Sequence, residues 1–85
     1  MKNVEIYTGP LCAFCDWTKA LLKKKGVAFK EINIGDDSNK MSEMVKKSNG
    51  MKTVPQIFID GKHIGGNQEL QALEKEGKLN SLLGI

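Results

Sequence analysis

The chain is 85 residues long, with thirteen lysines against ten acidic residues, a net charge of +3, no arginine and 40% hydrophobic content. A chain of this size hides about 60–65% of its unfolded surface, enough for one modest core, so a single domain over residues 1–85 is expected. A mild positive balance without arginine, the usual residue for bidentate phosphate and base contacts, argues against nucleic acid and weakly favours small anionic ligands; with no run near the ~18 apolar residues of a membrane span and no leader pattern, no membrane partner and a cytoplasmic location are expected.

In chain order, residues 2–7 (KNVEIY) alternate apolar Val4 and Ile6 and read as a short strand. A loop through Leu11 leads into a helical pattern over about 12–25, with Trp17, Ala20, Leu21 and the stem of Lys24 at helical spacing. Gly26 stops it, and lysines 23–25 complement the carbonyl end of the helix dipole. Residues 27–34 (VAFKEINI) give a second strand. Asp36, Asp37 and Ser38 offer caps for a second helix, whose apolar stripe is Met41, Met44 and Val45 and whose end is Asn49 and Gly50. The runs "QIFI" and "KHI" are joined by Asp60 and Gly61, the dipeptide a two-residue type I′ hairpin turn prefers, with His63 as a surface residue of that hairpin. After Gly65 and Gly66, Asn67 caps a last main helix with Glu69 in its first turn and Leu70 and Leu73 facing inward. Gly77 breaks that helix, and Leu79, Leu82 and Leu83 dock a short final turn. The order β-α-β-α-β-β-α is an α/β pattern that one four-stranded mixed sheet flanked by helices accommodates, its first unit a parallel pair with a right-handed crossover and its last two strands antiparallel.

The chemistry lies in "CAFC", which holds both cysteines of the chain, Cys12 and Cys15. As a structural staple the pair is poor, because closing a four-residue loop is worth only about 2 kcal/mol. As a zinc site it supplies two of four ligands, and the one further candidate, His63, has no partner. Redox chemistry fits best. A cysteine at a helix start faces unpaired backbone N–H groups that stabilise its thiolate, the attacking species in thiol–disulfide exchange. Cys12 is therefore the expected nucleophile. Cys15, one turn on, can resolve a mixed disulfide on Cys12, and Lys19 adds positive potential if it folds back toward the site.

With "VEIYT" before the cysteines, "KALL" after them and "TVPQIFIDGKHIGG" later, the chain resembles the glutaredoxin family, the small dithiol kind, over nearly its whole length. The resemblance implies a thioredoxin-like fold and glutathione-dependent reduction of protein disulfides and of glutathione mixed disulfides, with glutathione as co-substrate. It implies that Phe14 flanks the glutathione sulfur and that Thr53, Val54 and a cis Pro55 form the loop that pairs with the glutathione cysteine. It also implies that the backbone N–H groups of Asn67 and Gln68, after Gly65 and Gly66, hold the γ-glutamyl carboxylate while Glu69 meets the α-amino group. Where the family often has a lysine three residues before the nucleophile, this chain has Gly9, leaving Lys19 and Lys52 as the nearest substitutes for contact with glutathione. Where the family's dithiol centre commonly has proline, this chain has Ala13. The alternative function is a carrier of a [2Fe–2S] cluster, bridged in a homodimer by Cys12 as metal ligand and two glutathiones, a state that family members with a small residue at the Ala13 position more often form. In the redox role a monomer is expected, acting on disulfide-containing or glutathionylated proteins. A further alternative, a donor to ribonucleotide reductase fed by thioredoxin reductase, fits less well with Gly65, Gly66 and Glu69.

Overall fold

Alternation along the first strand sends Val4, Ile6 and Thr8 to one face of a sheet and Tyr7 to the other, and both faces are covered. The structure, a computed structural model, describes residues 2–85. Its elements are β1 (Val4–Thr8), α1 (Ala13–Lys24), β2 (Lys30–Asn33), α2 (Ser38–Lys47), β3 (Gln56–Ile59), β4 (Lys62–Gly65), α3 (Asn67–Lys75) and α4 (Leu79–Leu83). The four strands form one mixed sheet in the order β2-β1-β3-β4, with β1 and β2 parallel and both other pairs antiparallel. This is the mixed sheet that the element order accommodates, and the thioredoxin-like α/β arrangement that the resemblance implies.

One core lies beneath α1, α3 and α4, where Val4, Ile6, Ile57 and Ile59 meet Leu22, Leu70, Leu79 and Leu83. The other lies beneath α2, where Tyr7, Ile32 and Phe58 meet Met44. A lysine of α2 closes this second layer: Lys47 Nζ is 3.1 Å from the Tyr7 hydroxyl and stands 4.8 Å above the Phe58 ring. The Tyr7 hydroxyl in turn donates to Glu43, also on α2.

Several boundaries differ from the sequence expectation. The buried stripe of α1 is Cys15, Thr18 and Leu22, not Trp17, Ala20 and Leu21; Trp17 is 57% exposed and Leu21 only half-buried. That stripe is equally helical in spacing, but a cysteine and a threonine hide it from a search for large apolar residues. The second strand begins at Lys30 rather than residue 27, because Val27 is still tied to the helix before it. Gly26, at φ 72°, donates to the Lys23 carbonyl while Val27 donates to that of Leu22, a Schellman closure that delays the strand. In α2, Asp37 is the cap, its Oδ1 accepting from the backbone N–H of Asn39 and Lys40 at 3.0 Å each. At α3 the cap is Gly66, and Asn67 is the first helical residue. His63 is half-buried rather than a free surface residue, 5.1 Å from Phe58 between ring centres.

Candidate active site

β1 ends at Thr8, and the loop that follows delivers Cys12 to the start of α1. Cys12 occupies the cap position in an extended conformation, φ −113° and ψ 98°, where Ser, Thr or Asp would ordinarily place a side-chain oxygen. Its sulfur does the oxygen's work, accepting the Cys15 backbone N–H at 3.0 Å. A thiolate there gains both from that donor and from the positive end of the helix. Cys15 is 2% exposed beneath it, while Cys12 is half-exposed. The two sulfurs are joined as a disulfide, with the Cα atoms 5.2 Å apart.

Opposite Cys12 runs the loop before β3. The Val54 carbonyl oxygen is 3.8 Å from Cys12 Sγ, and the Val54-Pro55 bond is cis, as the resemblance implies. A buried residue the sequence reading passed over, Gln56, holds this loop. Its amide donates to the carbonyl and hydroxyl of Thr53 at 3.0 and 3.3 Å, and its Oε1 lies 2.7 Å from His63 Nε2. Gln56 Oε1 is an acceptor only, so His63 Nε2 is the donor in this contact. His63 thus supports the loop through Gln56.

An open groove of about 720 Å³ extends from this loop to the start of α3. Phe14 borders it from α1, Thr53, Val54 and Pro55 from the loop, and Gly66, Asn67, Gln68 and Glu69 from the helix start. These are the expected glutathione positions apart from Lys19. Met51 and Gln71 complete the lining; neither belongs to a recognisable motif. At the α3 end Glu69 turns back on its own helix, Oε1 accepting the Gly66 backbone N–H at 2.6 Å. Glycine is required beneath it: a Cβ on Gly65, at φ 124°, would meet Glu69 Oε1 at 2.6 Å and Cγ at 2.8 Å.

Lys19 belongs elsewhere. Its Nζ is 3.1 Å from Glu31 Oε2 on β2 and 3.8 Å from Asp16 Oδ1, so its charge is met by two carboxylates. Glu31 also accepts from the buried Thr8 hydroxyl at 2.8 Å. That bond first, and then the Lys19 and Lys23 ammonium groups, hold the Glu31 carboxyl below its ordinary range against the opposing effect of burial. Lys52 is exposed and outside the groove lining. At Gly9, a Cβ would stand 3.2 Å from Val54 Cγ2, so a side chain there would press on the loop that faces the nucleophile. The exposed side of the site is apolar: Leu11 is fully exposed, and Phe14 and Trp17 pack edge to face with ring centres 5.3 Å apart. Among the described residues no group of three or more His, Cys, Asp or Glu side chains is placed to hold a metal ion, and no helix is long and apolar enough to cross a membrane.

Comparisons with known proteins agree with this geometry. The family model for glutaredoxin matches residues 4–64. Glutaredoxin 3 of Escherichia coli K12 is 53% identical over 83 residues, covering 98% of this chain and 99% of its own. The solution structure of a glutaredoxin from Brucella melitensis superposes with a TM-score of 0.85 at 48% identity, over 98% of this chain and 89% of that one. A crystal structure of a buckwheat glutaredoxin–glutathione complex superposes with a TM-score of 0.87 at 27% identity, over 98% of this chain and 77% of that one.

Proposed function

We propose that this chain, which belongs to the glutaredoxin family and is by that membership a thiol–disulfide oxidoreductase, draws its electrons from glutathione and reduces both protein disulfides and glutathione mixed disulfides. The observation that carries the reading is the continuity between Cys12 and the groove: Val54, whose carbonyl oxygen stands 3.8 Å from the sulfur, also lines the groove. A tripeptide thiol bound there has its cysteine beside Val54. Its γ-glutamyl carboxylate faces the unpaired N–H groups at the start of α3. The glutathione complex of the buckwheat relative supports the same assignment.

The chain's own residues account for the steps. The Cys12 thiolate attacks one sulfur of the substrate disulfide, the S–S bond breaks, and the other sulfur leaves as a thiolate that takes up a proton. For a glutathionylated protein, attack at the glutathione sulfur releases the protein thiol; a second glutathione thiolate then attacks the mixed disulfide, releasing the Cys12 thiolate and forming glutathione disulfide. For a protein disulfide, Cys15 gives up its proton and attacks the mixed disulfide on Cys12, releasing the second protein thiol and leaving the Cys12–Cys15 disulfide. Two glutathiones return that disulfide to the dithiol and leave as glutathione disulfide, in a compartment that keeps glutathione reduced, the cytoplasm.

The division of labour is testable. Cys15→Ser should retain reduction of a glutathionylated peptide and lose most reduction of a protein disulfide. Loss of both activities in that variant would contradict it.

A second reading, a carrier of a [2Fe–2S] cluster shared by two chains, draws support from exposed Ala13 and Leu11 beside a half-exposed Cys12, a face open to another copy. In that state Cys12 and a glutathione thiol from each side would be the ligands, and the cluster would supply one-electron or transfer chemistry. Anaerobic reconstitution with glutathione should then give a coloured dimer that Ala13→Pro weakens; a colourless monomer would exclude it.

A further inference from the structure

We propose that Thr18 is a positioning residue for glutathione: its buried hydroxyl fixes Asn67, and so ties the cysteine helix to the carboxylate-binding start of α3. The inference rests on the glutathione reading above. Thr18 lies on α1 one turn beyond Cys15 and is 0% exposed. Its Oγ1 donates to Asn67 Oδ1 at 3.0 Å, across 49 positions of sequence. A helical threonine can satisfy its hydroxyl on its own helix's carbonyls three or four residues back. Here the hydroxyl crosses to the neighbouring helix instead. Asn67 Oδ1 receives a second donor, Gln71 Nε2, at 3.3 Å.

Asn67 Oδ1 is directed at Thr18 and Gln71, and the Nδ2 hydrogens remain as unspent donors on a residue that lines the groove. Asn67 is also the first residue of α3, whose backbone N–H has no partner within the helix. Thr18 therefore holds at a fixed offset from Cys15 the residue whose main-chain and side-chain donors face an incoming carboxylate. Reaction requires the glutathione sulfur at Cys12 and its γ-glutamyl end at α3 simultaneously. A shift between the two helices is then felt in binding and not in the thiol chemistry.

The test compares Thr18→Val, which keeps shape and removes the donor, with Thr18→Ser, which keeps the donor. Thr18→Val should raise KM for a glutathionylated peptide about fivefold, the size of one lost hydrogen bond, with kcat little changed. Thr18→Ser should restore KM. Single-turnover reduction of insulin by the pre-reduced protein, which needs no glutathione, should be the same in all three. In an Asn67→Ala background, Thr18→Val should have no further effect on KM, because the residue acts through Asn67. An unchanged KM in Thr18→Val would overturn the proposal, as would full additivity with Asn67→Ala or an equal loss of insulin reduction. Failure of the unsubstituted protein to saturate with the glutathionylated peptide would overturn the glutathione reading and this role together; saturation with an unchanged KM in Thr18→Val would overturn the role of Thr18 alone.

Discussion

Cys12 shows how little charge the site uses. Its sulfur takes the place of a capping oxygen and accepts the Cys15 N–H, while the nearest lysine of α1 is committed to Glu31 and Asp16. A lysine already paired with two carboxylates adds little potential at a partly exposed sulfur, and salt screens what remains over about 8–10 Å. Lys19→Gln should therefore leave the rate and pH dependence of Cys12 alkylation by iodoacetamide within about twofold of the parent. A large loss of reactivity near neutral pH would return Lys19 to the site. At this scale the motif residues were legible because their spacing is local or their pattern familial: the CxxC pair, Thr53 to Pro55, and Gly66 to Glu69. Lys19 lies outside the groove because its partner Glu31 is on β2, a contact between segments that no local pattern announces. Thr18 was missed because its partner Asn67 lies 49 positions away, and Gln56 because no local pattern marks a buried amide.

Helix α3 depends on a close approach that the double glycine permits. Glu69 folds over Gly65 to reach the Gly66 N–H, and that side chain stands where a Gly65 Cβ would be. Gly65→Ala would combine an unfavourable left-handed backbone with a collision against Glu69, so a stability loss of about 1 kcal/mol or more is expected. The urea midpoint should fall, and KM for a glutathionylated peptide should rise as the start of α3 is displaced. An unchanged midpoint would mean that Glu69 moves aside freely. The elements themselves were largely legible, since alternation, the Asp60 and Gly61 turn and the glycine stops are short-range signals. Their phases and edges were less so. The Val27 N–H is claimed by the end of α1, which shortens β2, and the inward face of α1 is set by where Cys12 caps it. Trp17 is consequently outside, packed on Phe14.

Across the whole molecule, the ionisable groups that tie helices to the sheet set limits at both ends of the pH scale. Glu43 is held below the ordinary carboxylate value of 4.5, chiefly by the Tyr7 hydrogen bond, and Glu31 is lowered by Thr8 and Lys19. Carboxyls with depressed folded values give stability that is present above 4.5 and lost as pH falls through those values. Burial and the Glu43 bond raise the Tyr7 phenol from 10.0; burial opposes the Lys47 ammonium, but its bonds to Tyr7 and Glu5 prevail and raise it from 10.5. Groups with raised folded values give stability that is present below their ordinary values and lost as pH rises. These four groups should leave the urea midpoint level between the two ranges and lower it beyond each, and Glu43→Gln should flatten part of the acid decline. An acid decline identical in Glu43→Gln would remove the α2 contact from the account.

The layered sheet and the groove were legible at this scale because element order and family pattern both constrain them. The Tyr7, Glu43 and Lys47 cluster was not, since it joins residues 36 to 40 positions apart. Cys12 and the groove between Val54 and α3 are proposed to form one glutathione site. The most direct measurement links glutathione by a disulfide to Cys12 in Cys15→Ser and maps the backbone amide shifts by NMR. The largest changes are predicted at Val54, Asn67 and Gln68. Shifts confined to the cysteine loop, with those three amides unmoved, would contradict the claim.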